Sequence, residues 1–317
     1  MEVISQEILN DWKHPIAANL LRQYDYKKNL VEIIENEASK LLLLLKTERP
    51  DIFDKQYNFI PIEKIVFALD INFLQIHDDN FDGLAEKRGE SFQISVSLSK
   101  ANYFRRRFSA AHELAHIILR QMVSPLTDRE VLDASKFHYE EEALCNLFAS
   151  SLLMPRESLI LYLRAADKIT VQLVDDIAGN FRVNRISVLR RIALLTNSIL
   201  LLWKKTTNPL AKESSSVERL IRVYPSSPQL PYYIPLYCTP RDSRFSPNII
   251  KESLLEGVSK SGKVKIAEFG SLPSAYYKTH NLFFKKRSKN LPYMEENNNP
   301  YDMATLIELQ NSAATEF

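Results

Sequence analysis

Ser109-Ala110-Ala111-His112-Glu113-Leu114-Ala115-His116-Ile117-Ile118-Leu119 is the stretch on which the reading of this chain turns. A helix turns every 3.6 residues, so His112 and His116, four apart, project from one face and can offer two imidazole nitrogens to one cation. Glu113 lies one step round from His112. From there its carboxylate reaches a water on such a cation without ligating it, the placement of a general base in metal-assisted hydrolysis. The spacing predicts a helix from about Ser109 to Gln121, with Ser109 as its N-cap and Ala111, Leu114, Ala115, Ile118 and Leu119 anchoring it in a core. Leu119 and Met122 occupy positions where the extended metzincin pattern requires Gly and His, so a third ligand must come from elsewhere in the chain.

A second helix, from about Tyr139 to Met154 with a stop at Pro155, opens on Glu140-Glu141-Glu142. Successive helical residues point about 100° apart, so the three carboxylates cannot all face one metal. Glu140 and Glu141 read as a solvated acidic cap, favoured by the helix dipole. Glu142 shares a face with Asn146, Ala149 and Leu153, which reads as the buried side, and it is the expected third ligand. Asn146, one turn along, is placed to hydrogen-bond a ligating histidine. Glu141 projects with Leu144, Cys145 and Phe148, a stripe suited to packing. His138, Tyr103 and Tyr139 are candidates for a group that polarises a scissile carbonyl, and spacing chooses none of them. Arg105, Arg106 and Arg107 read as a solvated basic face.

Around these helices the chain is punctuated by proline. Residues 16 to 46 have helical spacing, closed by Pro50, and Pro61 opens a short helix through Leu69. Residues 72 to 77 read as a strand. Phe92, Ile94, Val96 and Leu98 alternate with Gln93, Ser95 and Ser97, a half-buried strand expected to offer an edge to an extended substrate. A helical pair from about 171 to 196 has a helix-turn-helix silhouette, with Asn184 capping the second helix and Arg185, Arg190 and Arg191 available to phosphates. Beyond residue 198, short apolar segments broken by Pro225, Pro228, Pro231, Pro235 and Pro240 follow, with a linker expected at 206 to 216.

The composition excludes several classes. Lys and Arg total 41 against 39 Asp and Glu, which gives no global field to announce a nucleic acid or a membrane. The densest apolar run, Leu41 to Leu45, falls far short of the roughly 20 residues that span a bilayer, and no membrane partner is expected. Cys145 and Cys238 form no disulfide framework, and the N-terminus carries no basic segment followed by an apolar stretch, so a cytoplasmic location is expected. None of the six glycines sits in a nucleotide-binding pattern.

In Arg107-Phe108-Ser109-Ala110-Ala111-His112-Glu113-Leu114-Ala115-His116, together with Glu142, Asn146-Leu147-Phe148-Ala149 and Leu152-Leu153-Met154-Pro155, the sequence resembles the ImmA/IrrE family of metallopeptidases. The resemblance spans about residues 55 to 200. It departs at Ala115, where glycine is common, and at Leu144-Cys145, where Glu-Ala is frequent. It implies Zn2+ bound by His112, His116 and Glu142, with Glu113 as catalytic base. It further implies a helix-turn-helix transcriptional repressor as the protein substrate. The rival reading is a DNA-binding regulator that uses the 166–200 segment and keeps a regulatory metal site. The expected architecture is α+β. A helical region at 1–54 precedes a zincin-like metallopeptidase domain at 55–165 with a small sheet. A helix-turn-helix-like segment at 166–200 and a separate α/β C-terminal domain at 201–317 follow.

Overall fold

A computed structural model describes residues 14–24, 30–53, 59–99, 102–123, 136–166, 168–196, 198–206, 232–239, 263–266, 275–283 and 303–308. Two compact units form, one from residues 1–160 with 179–184 and the other from 161–178 with 185–317.

Among the described residues the first unit begins with α1 (Pro15–Gln23), whose proline stands in the first turn where its missing N–H costs nothing. His14 caps it, its Nδ1 accepting the Ile16 N–H at 3.3 Å. Helix α2 (Leu30–Glu48) buries Leu30, Ile33, Ile34, Ala38, Leu42 and Leu45 at helical spacing, while Leu43 and Leu44 of the leucine run face out. A 3-10 turn at Pro50–Ile52 ends the region. Helix α3 (Ile62–Ala68) starts behind Pro61, and Asp70, at φ 54, turns the chain into the first strand.

That strand, β1 (Asn72–Ile76), pairs in parallel with β3 (Ser91–Ser97), which pairs antiparallel with β2 (Gly83–Arg88). The order β1-β3-β2 therefore puts β3 in the middle. The expectation that residues 92 to 98 offer an edge is thus corrected: Gln93, Ser95 and Ser97 are buried as thoroughly as Ile94 and Val96. These polar residues bridge within the sheet, Gln93 Nε2 donating to Ser95 Oγ at 3.2 Å, which is how alternation on the page became burial on both faces. The outer strands are β1 and β2, and β2 is a strand that sequence periodicity did not reveal. Its turn into β3 is a two-residue loop, Gly89-Glu90, in which only Gly89 has positive φ (65), the pattern of a type II′ hairpin.

Helix α4 (Tyr103–Gln121) packs on β2, β3 and α3. It begins six residues before the expected Ser109. Asn102 is its N-cap, accepting the Arg105 N–H at 2.9 Å, and Ser109 lies buried inside the helix. The basic run at 105–107 is not a uniform solvated face. Arg107 is buried, donating to the Ile60 carbonyl at 2.7 Å and the Arg182 carbonyl at 3.2 Å, while Arg105 pairs with Asp82. Helix α5 (His138–Leu153) packs against α4 on one side and against α1 and α2 on another. Three helices against one explain why α5 is buried around most of its girth.

Helices α6 (Arg156–Arg164) and α7 (Val171–Phe181) continue the chain, and a turn with Arg182 at φ 52 leads to α8 (Arg185–Leu195). In the second unit Arg185 forms a two-pronged ion pair with Asp175, one arm measuring 2.8 Å. Beyond α8 the described residues are all strand: β4 (Ser198–Thr206), β5 (Tyr232–Thr239), β6 (Lys263–Ile266), β7 (Ala275–Phe283) and β8 (Met303–Glu308). They form an antiparallel sheet of order β5-β4-β8-β7-β6, with a register shift between Leu202 and Trp203. The helical part of the expected α/β C-terminal domain, and most of the expected 206–216 linker, lie outside the described residues. Among those described, no helix is long and apolar enough to cross a membrane.

Candidate metal centre

Helices α4 and α5 bring His112, His116 and Glu142 to a common point. His112 Nε2 and His116 Nε2 stand 3.2 Å apart, and the Glu142 carboxylate lies 3.2 Å from each, Oε2 to His112 and Oε1 to His116. The side chains of the two histidines are 12% and 13% exposed and that of Glu142 36%, so among the three Glu142 is the most open to solvent.

The proton positions can be worked out from the outer ring nitrogens. His116 Nδ1 lies 2.9 Å from Glu141 Oε1, and a carboxylate can only accept, so Nδ1 carries the hydrogen. His112 Nδ1 likewise donates to Asn146 Oδ1 at 3.2 Å, the contact expected of that amide. With both rings neutral, the two Nε2 atoms turn lone pairs toward each other and toward the Glu142 carboxylate, an arrangement that a cation between them relieves. Two nitrogens bound tetrahedrally to one zinc at ~2.0–2.1 Å stand about 3.3 Å apart. The donor set fits that ion in both type and spacing.

The surroundings tune the ring nitrogens in opposite directions. Burial, and then the neighbouring charge of His116, lower the His112 pKa against the pull of Glu142. At His116 burial also favours the neutral ring, but the hydrogen bond and charge of Glu141 outweigh it and the pKa rises.

Glu113 points from α4 toward β2. Burial pushes its carboxyl above the usual range, opposed by the charge of His116 and by a hydrogen bond from the Ala85 backbone N–H. The stem of Glu113 leaves no room on the neighbouring strand. A Cβ placed on Gly83 would lie 2.9 Å from both Cγ and Oε1 of Glu113. Sequence reasoning did not single out Gly83 or Ala85, because β2 itself carries too few apolar residues to announce a strand.

Two readings of the acidic run need correction. Glu140 and Glu141 are no solvated cap, for they are 6% and 5% exposed, whereas Glu142 and Asn146 occupy the more open face of α5. Glu140 Oε2 accepts the His14 backbone N–H at 2.6 Å. The three remaining candidates divide. His138, 67% exposed, approaches Glu142 with Nδ1 3.6 Å from Oε1. Tyr103 sits nine residues before His112, about 13.5 Å along the helix axis, beside Phe104 and Arg107. The side chain of Tyr139 lies outside the described residues.

A family model described as Peptidase_M78, IrrE N-terminal-like domain, matches residues 69–193. No curated protein matches the chain. Among solved structures, a Mycobacterium tuberculosis transcriptional regulator is 13% identical over 93% of this chain and 80% of that one, with a TM-score of 0.40, too loose a likeness to inform the site. The motif helix, the hairpin before it and the acidic helix after it all fall within the residues that the IrrE N-terminal-like model matches, a likeness consistent with the ImmA/IrrE resemblance of the motifs.

Proposed function

We propose that this chain is a zinc-dependent endopeptidase in which His112, His116 and Glu142 hold the metal and Glu113 is the general base. The observation that carries the reading is the convergence of two imidazole lone pairs and one carboxylate at 3.2 Å, with an acid of raised pKa beside them on the same helix. A zinc ion held there would acidify a water in its open position and polarise a peptide carbonyl. Glu113, held by the Ala85 N–H, takes the proton of the attacking water and returns it to the leaving amine. The outer edge of β2, which flanks α4, offers backbone groups to which an extended segment of substrate can add as a strand.

The substrate we propose is a cytoplasmic helix-turn-helix repressor, on the strength of the family resemblance, with loss of repression as the outcome. Incubation of the zinc-loaded chain with such a regulator encoded nearby should give discrete fragments, abolished by a chelator and restored by added zinc. An intact regulator under these conditions would reject that substrate.

DNA binding through 171–195 finds less support. Of the three arginines offered for phosphate contact, Arg185 and Arg191 are buried and Arg185 is committed to Asp175. Arg190 alone stays exposed, too little for a duplex footprint.

The crowding at Gly83 gives a test of the base. Its φ is not positive, so alanine fits the backbone, and the clash falls on the movable Glu113 side chain. Gly83→Ala should fold and keep its zinc while kcat falls by about 10–100-fold, the cost of misplacing a reacting group by about an ångström. An unchanged kcat would show that Glu113 works from another position.

A further inference from the structure

The family match begins at residue 69, yet the back of the metal centre is sealed by a residue far upstream. Glu141 turns both carboxylate oxygens toward donors on that side. Its Oε1 accepts from His116 Nδ1 at 2.9 Å and from Arg120 Nε at 2.7 Å. Its Oε2 lies 3.4 Å from His14 Nε2. His14 is 0% exposed, and because its Nδ1 accepts the Ile16 N–H, a neutral His14 carries its hydrogen on Nε2, the atom turned toward Glu141. At 3.4 Å this is an approach rather than a formed hydrogen bond, and among the described residues His14 Nε2 has no closer partner. The same His14 gives its backbone N–H to Glu140.

From this geometry we infer that Glu141 is a positioning residue for the metal. Held by Arg120 and backed by His14, it fixes His116 as the Nδ1–H tautomer with Nε2 aimed at the site. The inference rests on the proposed zinc centre and adds to it a charged support for one histidine where Asn146 supplies a neutral one for the other. A carboxylate behind a ligating imidazole locks the ring's rotation and raises its donor strength, and loss of such a partner costs about 10–100-fold in metal affinity.

Glu141 is no ligand of a second ion, although His116, Glu141 and Cys145 offer atoms within 4.8 Å of one another. Both oxygens of Glu141 already face donors, from His116 and Arg120 on one side and His14 on the other. Sequence reading had assigned Glu141 to packing. It does share the buried stripe with Leu144, Cys145 and Phe148, but that stripe runs up to the back of His116.

Zinc competition against a chromophoric chelator, together with cobalt(II) absorption spectra, should be recorded on the full chain and on Glu141→Gln, Glu141→Leu, Arg120→Met and Glu142→Ala. Glu141→Gln keeps an acceptor but loses the charge, and zinc affinity should fall by about 10–100-fold, with a further fall in Glu141→Leu. Arg120→Met, whose exposed side chain makes unfolding no concern, should lose several-fold and shift the cobalt bands in the same direction. A role confined to packing would lower the melting temperature and leave affinity and spectra alone. If Glu142→Ala abolishes binding while folded Glu141→Gln and Arg120→Met both stay within about twofold of wild type, the positioning role is wrong and the zinc centre stands. If the wild type binds no zinc, both fall.

Discussion

Glu113→Gln should bind zinc as the wild type does and lose roughly 10²–10⁴-fold in peptide hydrolysis, the usual contribution of a positioned general base. The glutamine is isosteric, so it still fits against Gly83, and it offers the Ala85 N–H an oxygen to bond. What it cannot do is take a proton. Zinc content and kcat measured on the same preparation check both halves, and full turnover in the zinc-loaded variant would show that another group acts as the base. His138 would then be the first place to look, since it approaches Glu142 from the exposed side.

The second large effect is expected at the head of α5, where three adjacent glutamates have three separate fates. Glu142→Ala removes the carboxylate that lies 3.2 Å from both ring nitrogens, and zinc affinity should drop by more than the ~10–100-fold that loss of a supporting group costs. Glu140→Ala should leave zinc binding near wild type. Instead it strands the buried His14 N–H, now bonded at 2.6 Å, and should cost about 1–3 kcal/mol of stability. Zinc titrations and denaturant melts of the two variants check the contrast. A Glu140→Ala protein that keeps its stability but loses its zinc would mean that α5 is rotated from the arrangement described.

The parts of the site that follow from helix geometry were legible in the sequence. The pairing of His112 with His116, the offset of Glu113, the register of Glu142 and the reach of Asn146 to a ligating histidine all depend on angles fixed by 3.6 residues per turn. What failed was burial. The face of Glu142 reads as the buried side of α5, and only its far end is: Ala149 and Leu153 are buried, whereas Glu142 is half-buried and Asn146 exposed. Glu141 and Glu140 read as solvated in the sequence because a charged pair at a helix start ordinarily is. The reason they are not is long-range. His14 sits 126 positions before Glu140, and no periodicity connects the two. The strand β2 was missed because Gly83-Leu84-Ala85-Glu86-Lys87-Arg88 is nearly as polar as a loop, and only the turn glycine at 89 hinted at a hairpin. Without β2, β3 reads as an edge strand, whereas it lies between β1 and β2.

Metal analysis of the purified chain tests the centre most directly, read against His112→Ala and Glu142→Ala prepared in the same way. The structure leads us to expect about one zinc per wild-type chain, surviving exhaustive dialysis, and substantially less than one in each variant. A folded wild-type chain that remains free of zinc after preparation with excess metal would contradict the assignment of these residues as a metal centre.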